Sequence, residues 1–342
     1  MEILVLGGTN FLGRHFVEAA LARGNRVTLF HRGKSPNPFG DAVEVRLGDR
    51  DPQIGSGLGA LESGQWDVVL DTSGYLPRHV RASADLLFGR VGHYYFVSSV
   101  SAYADLSAPG VDETAPLAVL SDPASEDVAT DYGALKAACE AVVLDRYGKQ
   151  ALIVRPGLIV GPHDPTDRFP YWAARFGAPT LLGERGSVAV MPGPPGRAIQ
   201  CIDARDIVLW IFLALQAQRG GAYNLTSPPG QWTMGSLAES GHKLSVKRGF
   251  DVSIHWVEDA ELVAAGVAPW TGLPLWLPAS DTTFQGLQSV DVTRALDSGL
   301  TIRPLLETIT DTLEALITTP AGTRFQNVLP AALEEALAKP SS

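Results

Sequence analysis

The first thirteen residues constrain this chain more than any other stretch. An apolar run, Ile3-Leu4-Val5-Leu6, leads without a break into Gly7-Gly8-Thr9-Asn10-Phe11-Leu12-Gly13, and a helical pattern follows over 10–23. A buried strand that turns through glycine into a helix aims backbone N–H groups and the positive helix end at one point, where a phosphate settles. Gly7 and Gly13 hold the outer positions of a G-x-x-G-x-x-G spacing, and Asn10 takes the middle one. Asn tolerates left-handed backbone better than most residues with a side chain, so the turn is expected to survive the exchange. Gly7, Thr9, Asn10, Phe11, Leu12 and Gly13 are therefore the expected cradle for a dinucleotide pyrophosphate.

The next 140 or so residues repeat the alternation. Short apolar runs at 26–30, 43–47, 67–70, 94–98 and 151–155 read as strands, with helices over 78–88 and around Tyr132. Continuous apolar strands alternating with helices mean a parallel sheet covered on both faces, an α/β fold of the Rossmann-type, doubly wound class. After Arg155 the texture turns dense in Pro and Gly. The expected division is a dinucleotide-binding domain over 1–155, rejoined by 199–225, and a smaller, mainly substrate-binding C-terminal lobe over 156–342. A last Ala/Leu/Glu helix from Pro330 is expected on the surface or at an interface.

Bulk properties narrow the function class. With 45% apolar and 19% charged residues the chain reads as an ordinary soluble globular protein. A net charge of −10 argues against a nucleic-acid partner, whose binding rests on Lys/Arg–phosphate contacts. No run approaches the ~20 apolar residues of a membrane span, and the start lacks the basic region and long apolar segment of a signal peptide. Cys139 and Cys201 lie far apart in apolar stretches and are expected as free thiols, which suits a cytoplasmic protein. The seven histidines form no metal-ligand spacing, so no metal is expected. A small-molecule substrate is the expected partner.

Cofactor choice is read from the end of the second strand, Leu29-Phe30-His31-Arg32-Gly33-Lys34. An acid there would hold ribose hydroxyls; here there is none, and the Arg32 guanidinium suits a 2′-phosphate. NADP(H) is favoured, with NAD(H) as the alternative. Asp49 and Arg50, after the third strand, read as an adenine-edge contact or a plain turn. Thr72, Ser73 and Gly74 end the fourth strand beside the expected cofactor path.

The chemistry is read from Tyr132-Gly133-Ala134-Leu135-Lys136. A Tyr and a Lys four residues apart share one helix face, and an ammonium near a phenol lowers its pKa from about 10. Ser99 ends a strand at the crevice, within a segment running Val97-Ser98-Ser99-Val100-Ser101-Ala102-Tyr103. Together with the glycine loop, Asp49, Arg155-Pro156, Gly161-Pro162, the 199–206 segment and Tyr223-Asn224-Leu225, these residues resemble the short-chain dehydrogenase/reductase superfamily, in its extended, atypical NAD-dependent epimerase/dehydratase-like branch. The likeness covers about 1–310. It implies a Ser99–Tyr132–Lys136 triad: Tyr132 as acid/base, Lys136 lowering its pKa and bonding the nicotinamide ribose, and Ser99, favoured over Ser98 and Ser101, positioning the substrate oxygen. It also implies a homodimer through the Tyr–Lys helix and the helix before it.

Three departures bear on substrate. Asn10 replaces a glycine. Leu158 stands where sugar-nucleotide enzymes carry Asn after the Arg155-Pro156 pair. An acidic loop over 105–131 is long, either a lid or a tolerated insertion. Ser101, His163 and Arg168 are substrate-contact candidates, the last two otherwise a solvated loop. The leading expectation is an NADP(H)-dependent oxidoreductase, a carbonyl reductase or dehydrogenase, acting on a small molecule. The alternatives are a sugar-nucleotide epimerase/dehydratase with tightly bound NAD and a non-catalytic dinucleotide- or RNA-binding member.

Overall fold

In the computed structural model, which describes residues 1–318 and 324–339, seven parallel strands form the central sheet. These are β1 (Glu2–Leu6), β2 (Arg26–His31), β3 (Glu44–Leu47), β4 (Trp66–Asp71), β5 (Val91–Val97), β6 (Ala151–Pro156) and β11 (Gly221–Leu225), in the spatial order β11-β6-β5-β4-β1-β2-β3. The chain leaves β1 toward β2 and β3, then returns to β1's other side with β4. That reversal opens a crevice beyond the carboxyl ends of β1 and β4, where doubly wound sheets bind their ligands.

Strand alternation sorts the core into two layers. Ile3 and Val5 face α1 (Phe11–Ala22) and α5 (Ala204–Gln216), whose Phe16 and Phe212 rings stack at 5.0 Å. Leu4 and Leu6 face the other way, into a core shared with α2 (Pro77–Leu87) and α3 (Tyr132–Tyr147). Both sides of β1, β4, β5 and β6 are thus buried, which is why those runs read as apolar stretches, while the edge strand β3 is largely exposed.

Residues after β6 build a second core around Trp172 and Trp276. It is framed by α4 (Arg168–Gly177), α6 (Met234–Lys247) and α9 (Leu305–Thr318), with β8 (Val188–Pro192) and β13 (Ser253–Val257) paired in parallel. Two short pairs, β7 (Leu158–Val160) with β10 (Cys201–Asp203) and β9 (Ala198–Ile199) with β12 (Trp232–Thr233), join this part to the sheet. Small helices α7 (Asp259–Ala264), α8 (Thr293–Asp297) and α10 (Ala331–Leu337) complete it. The last of these does more than lie on the surface: its Glu334 is buried between Arg175 and Arg185, at 2.8 and 2.9 Å. A carboxylate this deep is tolerable only with such partners. The final residues of the expected lobe, 340–342, and the segment 319–323 lie outside the described residues.

A second buried ion pair braces the crevice floor. Glu140 on α3 meets Arg155 on β6 at 2.6 Å and accepts from Ser98 Oγ. Arg155 also donates to the Tyr103 hydroxyl (3.1 Å), which donates to Asn224 Oδ1 (2.7 Å). Glu113 of the long acidic loop accepts from the Asn224 backbone N–H at 2.8 Å, tying that loop to the sheet edge.

Packing in the second core is tight where α6 crosses α4. A Cβ at Gly241 would land within the Phe176 ring's van der Waals shell. Gly241→Ala is therefore expected to destabilise the protein by about 1–2 kcal/mol despite the better helix propensity of Ala. Denaturant unfolding monitored by tryptophan fluorescence checks this.

Candidate active site

The loop after β1 owes its shape to two glycines with positive φ, Gly7 at 109° and Gly8 at 95°. A Cβ on Gly7 would sit 2.5 Å from Thr72 Oγ1, and one on Gly13 would sit 2.8 Å from Gly8 Cα. The loop, the end of β4 and the start of α1 can close together only without those side chains. Asn10 does not use the left-handed tolerance expected of it. It is extended (φ −128°) and caps α1, while Phe11 takes the positive φ, 39°. The Asn10 amide instead donates to Ser35 Oγ at 3.2 Å, joining the glycine loop to the loop after β2.

Two cavities meet over Gly7, Thr9, Asn10, Ser73 and Tyr75. The first, about 560 Å³, runs between the ends of β2 and β3. Asp49 lines it, its carboxylate accepting from the Asp51 N–H, and so do the exposed Arg32 and Lys34. Val128 reaches it from the 105–131 loop, which Arg78 on α2 holds through Glu126. Arg50 borders it too, but its guanidinium is committed elsewhere. Burial of Asp71 in the core demands a counter-charge, and Arg50 supplies it in a two-pronged pair, with Ser83 Oγ as a further acceptor at 2.9 Å. The structure thus makes Arg50 a core cation under the cleft, where a direct cofactor contact was expected.

The second cavity, about 570 Å³, contains the expected chemistry. Thr72, Ser99, Ser101, Tyr132 and Lys136 all line it, together with Leu12, Leu158 and Arg168. Ser98 lines it as well, but its hydroxyl donates to Glu140. Ser99 Oγ accepts from the Ser101 N–H at 3.1 Å and so is aimed by the short turn it caps. Gly74 does not line the cavity. It is packed inward against Phe96 and Val80, and its carbonyl accepts from Lys136.

Lys136 is 3% exposed, and its Nζ donates to the carbonyls of Gly74 (2.9 Å) and Val97 (2.6 Å). The ammonium also lies over the Phe96 ring at 4.5 Å and the Tyr75 ring at 5.1 Å. Burial lowers its pKa to about 8. One of its three N–H donors is left for a ligand. The expected lowering of the Tyr132 pKa is not what the structure gives. Burial raises it, with Ser99 and Arg168 pulling it down less strongly. The free protein therefore holds a neutral phenol at neutral pH.

Of the other substrate candidates, His163 does not line the cavity that holds Tyr132. It adopts φ 63°, lies 3.4 Å from Arg14 Nη1, and lines a small third cavity of about 220 Å³ that shares Thr9, Asn10 and Phe11 with the main one. Asp164 beside it is buried and pushed up to about 6 by that burial. Tyr75, Gln200, Trp270 and Leu287 also line the main cavities. Tyr75 directly follows the Thr72–Gly74 stretch, and that adjacency was the available signal. Gln200, Trp270 and Leu287 come from distant loops that only the tertiary fold brings together.

The residues fit a dinucleotide: a glycine cradle that side chains would fill, a basic rim at one end, and a Ser/Tyr/Lys cluster at the other. A model of the NAD dependent epimerase/dehydratase family matches residues 3–226. No curated protein matches the chain in sequence. Among solved structures, a Burkholderia cenocepacia J2315 protein described as an epimerase is similar at TM-score 0.66 and 18% identity, over 93% of this chain and 98% of that one. The UDP-glucose 4-epimerase of Thermotoga maritima, solved with UDP-glucose, gives 0.63 and 17%, over 93% and 99%. The UDP-glucuronic acid 4-epimerase of Bacillus cereus, solved with NAD, gives 0.64 and 15%, over 94% and 98%. At such identities the likeness is one of fold.

The buried lysine has a measurable consequence. With its folded pKa near 8 against an ordinary 10.5, Lys136 binds fewer protons folded than unfolded across that interval. Unfolding free energy therefore rises with pH there. Relative to Lys136→Met, the ligand-free wild type should gain about 2–3 kcal/mol between the two pH values. Paired denaturant titrations at both ends measure the difference, and parallel curves would rule out a depressed lysine.

Proposed function

The chain belongs to the NAD-dependent epimerase/dehydratase family, and from that premise we propose that it is a dinucleotide-dependent enzyme of the epimerase/dehydratase kind. On this reading it oxidises a hydroxyl-bearing carbon of a sugar-type substrate transiently and recovers its cofactor at the end of the cycle. The observation that carries the reading is the meeting of Ser99, Tyr132 and Lys136 on one cavity continuous with the glycine-loop cleft. Epimerases of the same fold, solved with UDP-glucose or with NAD, lend it support.

A bound nicotinamide would supply two-electron chemistry, accepting hydride from a carbon and giving it back. The chain's own residues handle the proton and the geometry. For the oxidising half Tyr132 must first release its phenol proton to solvent; the phenolate, its charge offset by Lys136, then takes the substrate hydroxyl proton as hydride leaves the same carbon, and returns that proton when the carbonyl is reduced again. Ser99 donates to the carbonyl oxygen and holds it toward Tyr132. Lys136 offers its remaining N–H toward the ribose, and its positive charge offsets the phenolate formed in the cycle. Val97, Leu158 and Ile159 help wall the reacting end with apolar surface, which strengthens every charge interaction inside it.

Arg32, Lys34 and the absence of an acid at the end of β2 support NADP(H) as the dinucleotide. The same feature favours a second reading, a net carbonyl reductase consuming NADPH. The two differ in stoichiometry: the first turns over without net change in cofactor, the second oxidises one NADPH per product. The two buried free thiols agree with a reducing, cytoplasmic setting.

Two substitutions test the reading. Tyr132→Phe should lower turnover by about 10²-fold or more, the usual worth of a positioned acid/base, with dinucleotide affinity little changed. Equal rates would remove Tyr132 from the mechanism. Arg32→Ala should weaken NADP+ binding by about tenfold, the scale of one charge-assisted contact, and leave NAD+ binding unaffected. Equal losses for both dinucleotides would count against a 2′-phosphate at Arg32.

A further inference from the structure

The main cavity is lined by a cation and an indole that the mechanism above does not use, Arg168 and Trp270. Arg168, the first residue of α4, lines it half-buried, and among the described residues its only side-chain hydrogen bond is to Thr166 Oγ1 at 3.5 Å. Asp164, the carboxylate that acts on it, accepts from the Thr166 N–H and lines the small third cavity instead. A guanidinium with five donors and no carboxylate pair among the described residues, facing the same cavity as Tyr132, is arranged for an oxyanion.

Trp270 faces that cavity from a turn held in an unfavourable conformation. Its φ is 65°, rare for a bulky residue. Several buried groups impose this geometry. The Trp270 N–H donates to the Trp276 carbonyl at 2.9 Å, the Trp172 indole donates to the Pro274 carbonyl at 3.0 Å, and the Leu329 N–H donates to the Gly272 carbonyl at 2.7 Å. Trp276 is itself fully buried and anchored to Asp259 at 2.8 Å. Strain over-determined in this way collects at ligand-binding positions. Gln200, the other polar neighbour, has no free amide: it bonds the carbonyls of Ser227 and Val290 and the Val290 N–H.

We propose that Arg168 and Trp270 form a clamp for a polyhydroxylated ring bearing an anionic oxygen group at its reacting end, a carboxylate or phosphate close to the carbon that Tyr132 serves. This deepens the function proposed above and rests on it. The ring's apolar C–H face stacks on the indole, and the anion takes the guanidinium. The neutral side chain of Leu158 lies in the same cavity, and the other cation there, Lys136, is largely committed to the carbonyls of Gly74 and Val97.

Binding to the full-length, NADP+-loaded protein tests this, by calorimetry with D-glucuronate, D-glucose 6-phosphate, D-glucose and UDP-glucose. At least one of the two anionic sugars should bind about tenfold or more tightly than D-glucose. Arg168→Gln should erase that preference, and Arg168→Lys should restore part of it. Trp270→Ala should weaken the anionic sugar by about tenfold, with Trp270→Phe retaining most of it. NADP+ affinity, measured on each variant, should match wild type and so separates loss of the clamp from loss of the fold.

Equal affinity for D-glucose and both anions would overturn the clamp, as would an anion preference that survives Arg168→Gln. An Arg168→Gln effect confined to UDP-glucose would also overturn it, because the guanidinium would then serve a diphosphate remote from the reacting carbon. Since no turnover is read, failure of the clamp leaves the Tyr132 assignment standing, and an unchanged Tyr132→Phe rate leaves the clamp standing.

Discussion

One buried ammonium ties the pieces of this site together. Lys136 reaches from α3 to the carbonyl of Gly74, just past β4, and to that of Val97, the last residue of β5. Removing an ammonium from water is costly, and two carbonyls with two aromatic faces offset that cost only while all three elements keep their places. Tyr132 stands one helical turn before Lys136, so its position depends on the same contacts. So does the cavity edge where Tyr75 lies, its ring 6.4 Å from that of Tyr132. The functional cluster is held by the charge at its centre.

The Glu140–Arg155 pair serves the layer below. It is wholly buried, and removing one partner would leave an uncompensated charge. Through Ser98 it fixes the strand end that presents Ser99, and through Tyr103 and Asn224 it reaches the long acidic loop. That loop is therefore anchored at Glu113 and Glu126 while Val128 borders the cavity between the ends of β2 and β3. The two neighbouring serines look alike in sequence but differ in their partners: the Ser98 hydroxyl donates to Glu140, while Ser99 Oγ accepts from the Ser101 N–H.

What was legible in the sequence follows from range. The sheet, its two helical layers and the glycine turn are dictated by local periodicity and by the steric needs of a few residues, so Ile3–Leu6, Gly7 and Gly13 announced them. Ser99, Tyr132 and Lys136 are picked out by spacing together with the family resemblance, and all three line one cavity. Errors arose where a long-range partner decided the outcome. Arg50 is paired with buried Asp71, Gly74 is turned inward against Phe96 and Val80, and Glu334, on a final helix that otherwise lies at the surface as expected, is buried between two arginines. The phenol shift had the wrong sign because burial outweighs the neighbouring charge. Trp270 could not be assigned, since its role depends on a turn closed by Trp276, Trp172 and Leu329.

The central claim is that the two cavities form one dinucleotide site whose reacting end lies between Ser99, Tyr132 and Lys136. A crystal structure of the protein with NADP+ tests it most directly. The account predicts the 2′-phosphate beside Arg32, the pyrophosphate over the Gly7–Gly13 turn, and the nicotinamide ribose within hydrogen-bonding distance of Lys136 Nζ and the Tyr132 hydroxyl. A dinucleotide bound with its nicotinamide remote from Tyr132, or seated wholly outside the glycine turn, would contradict it.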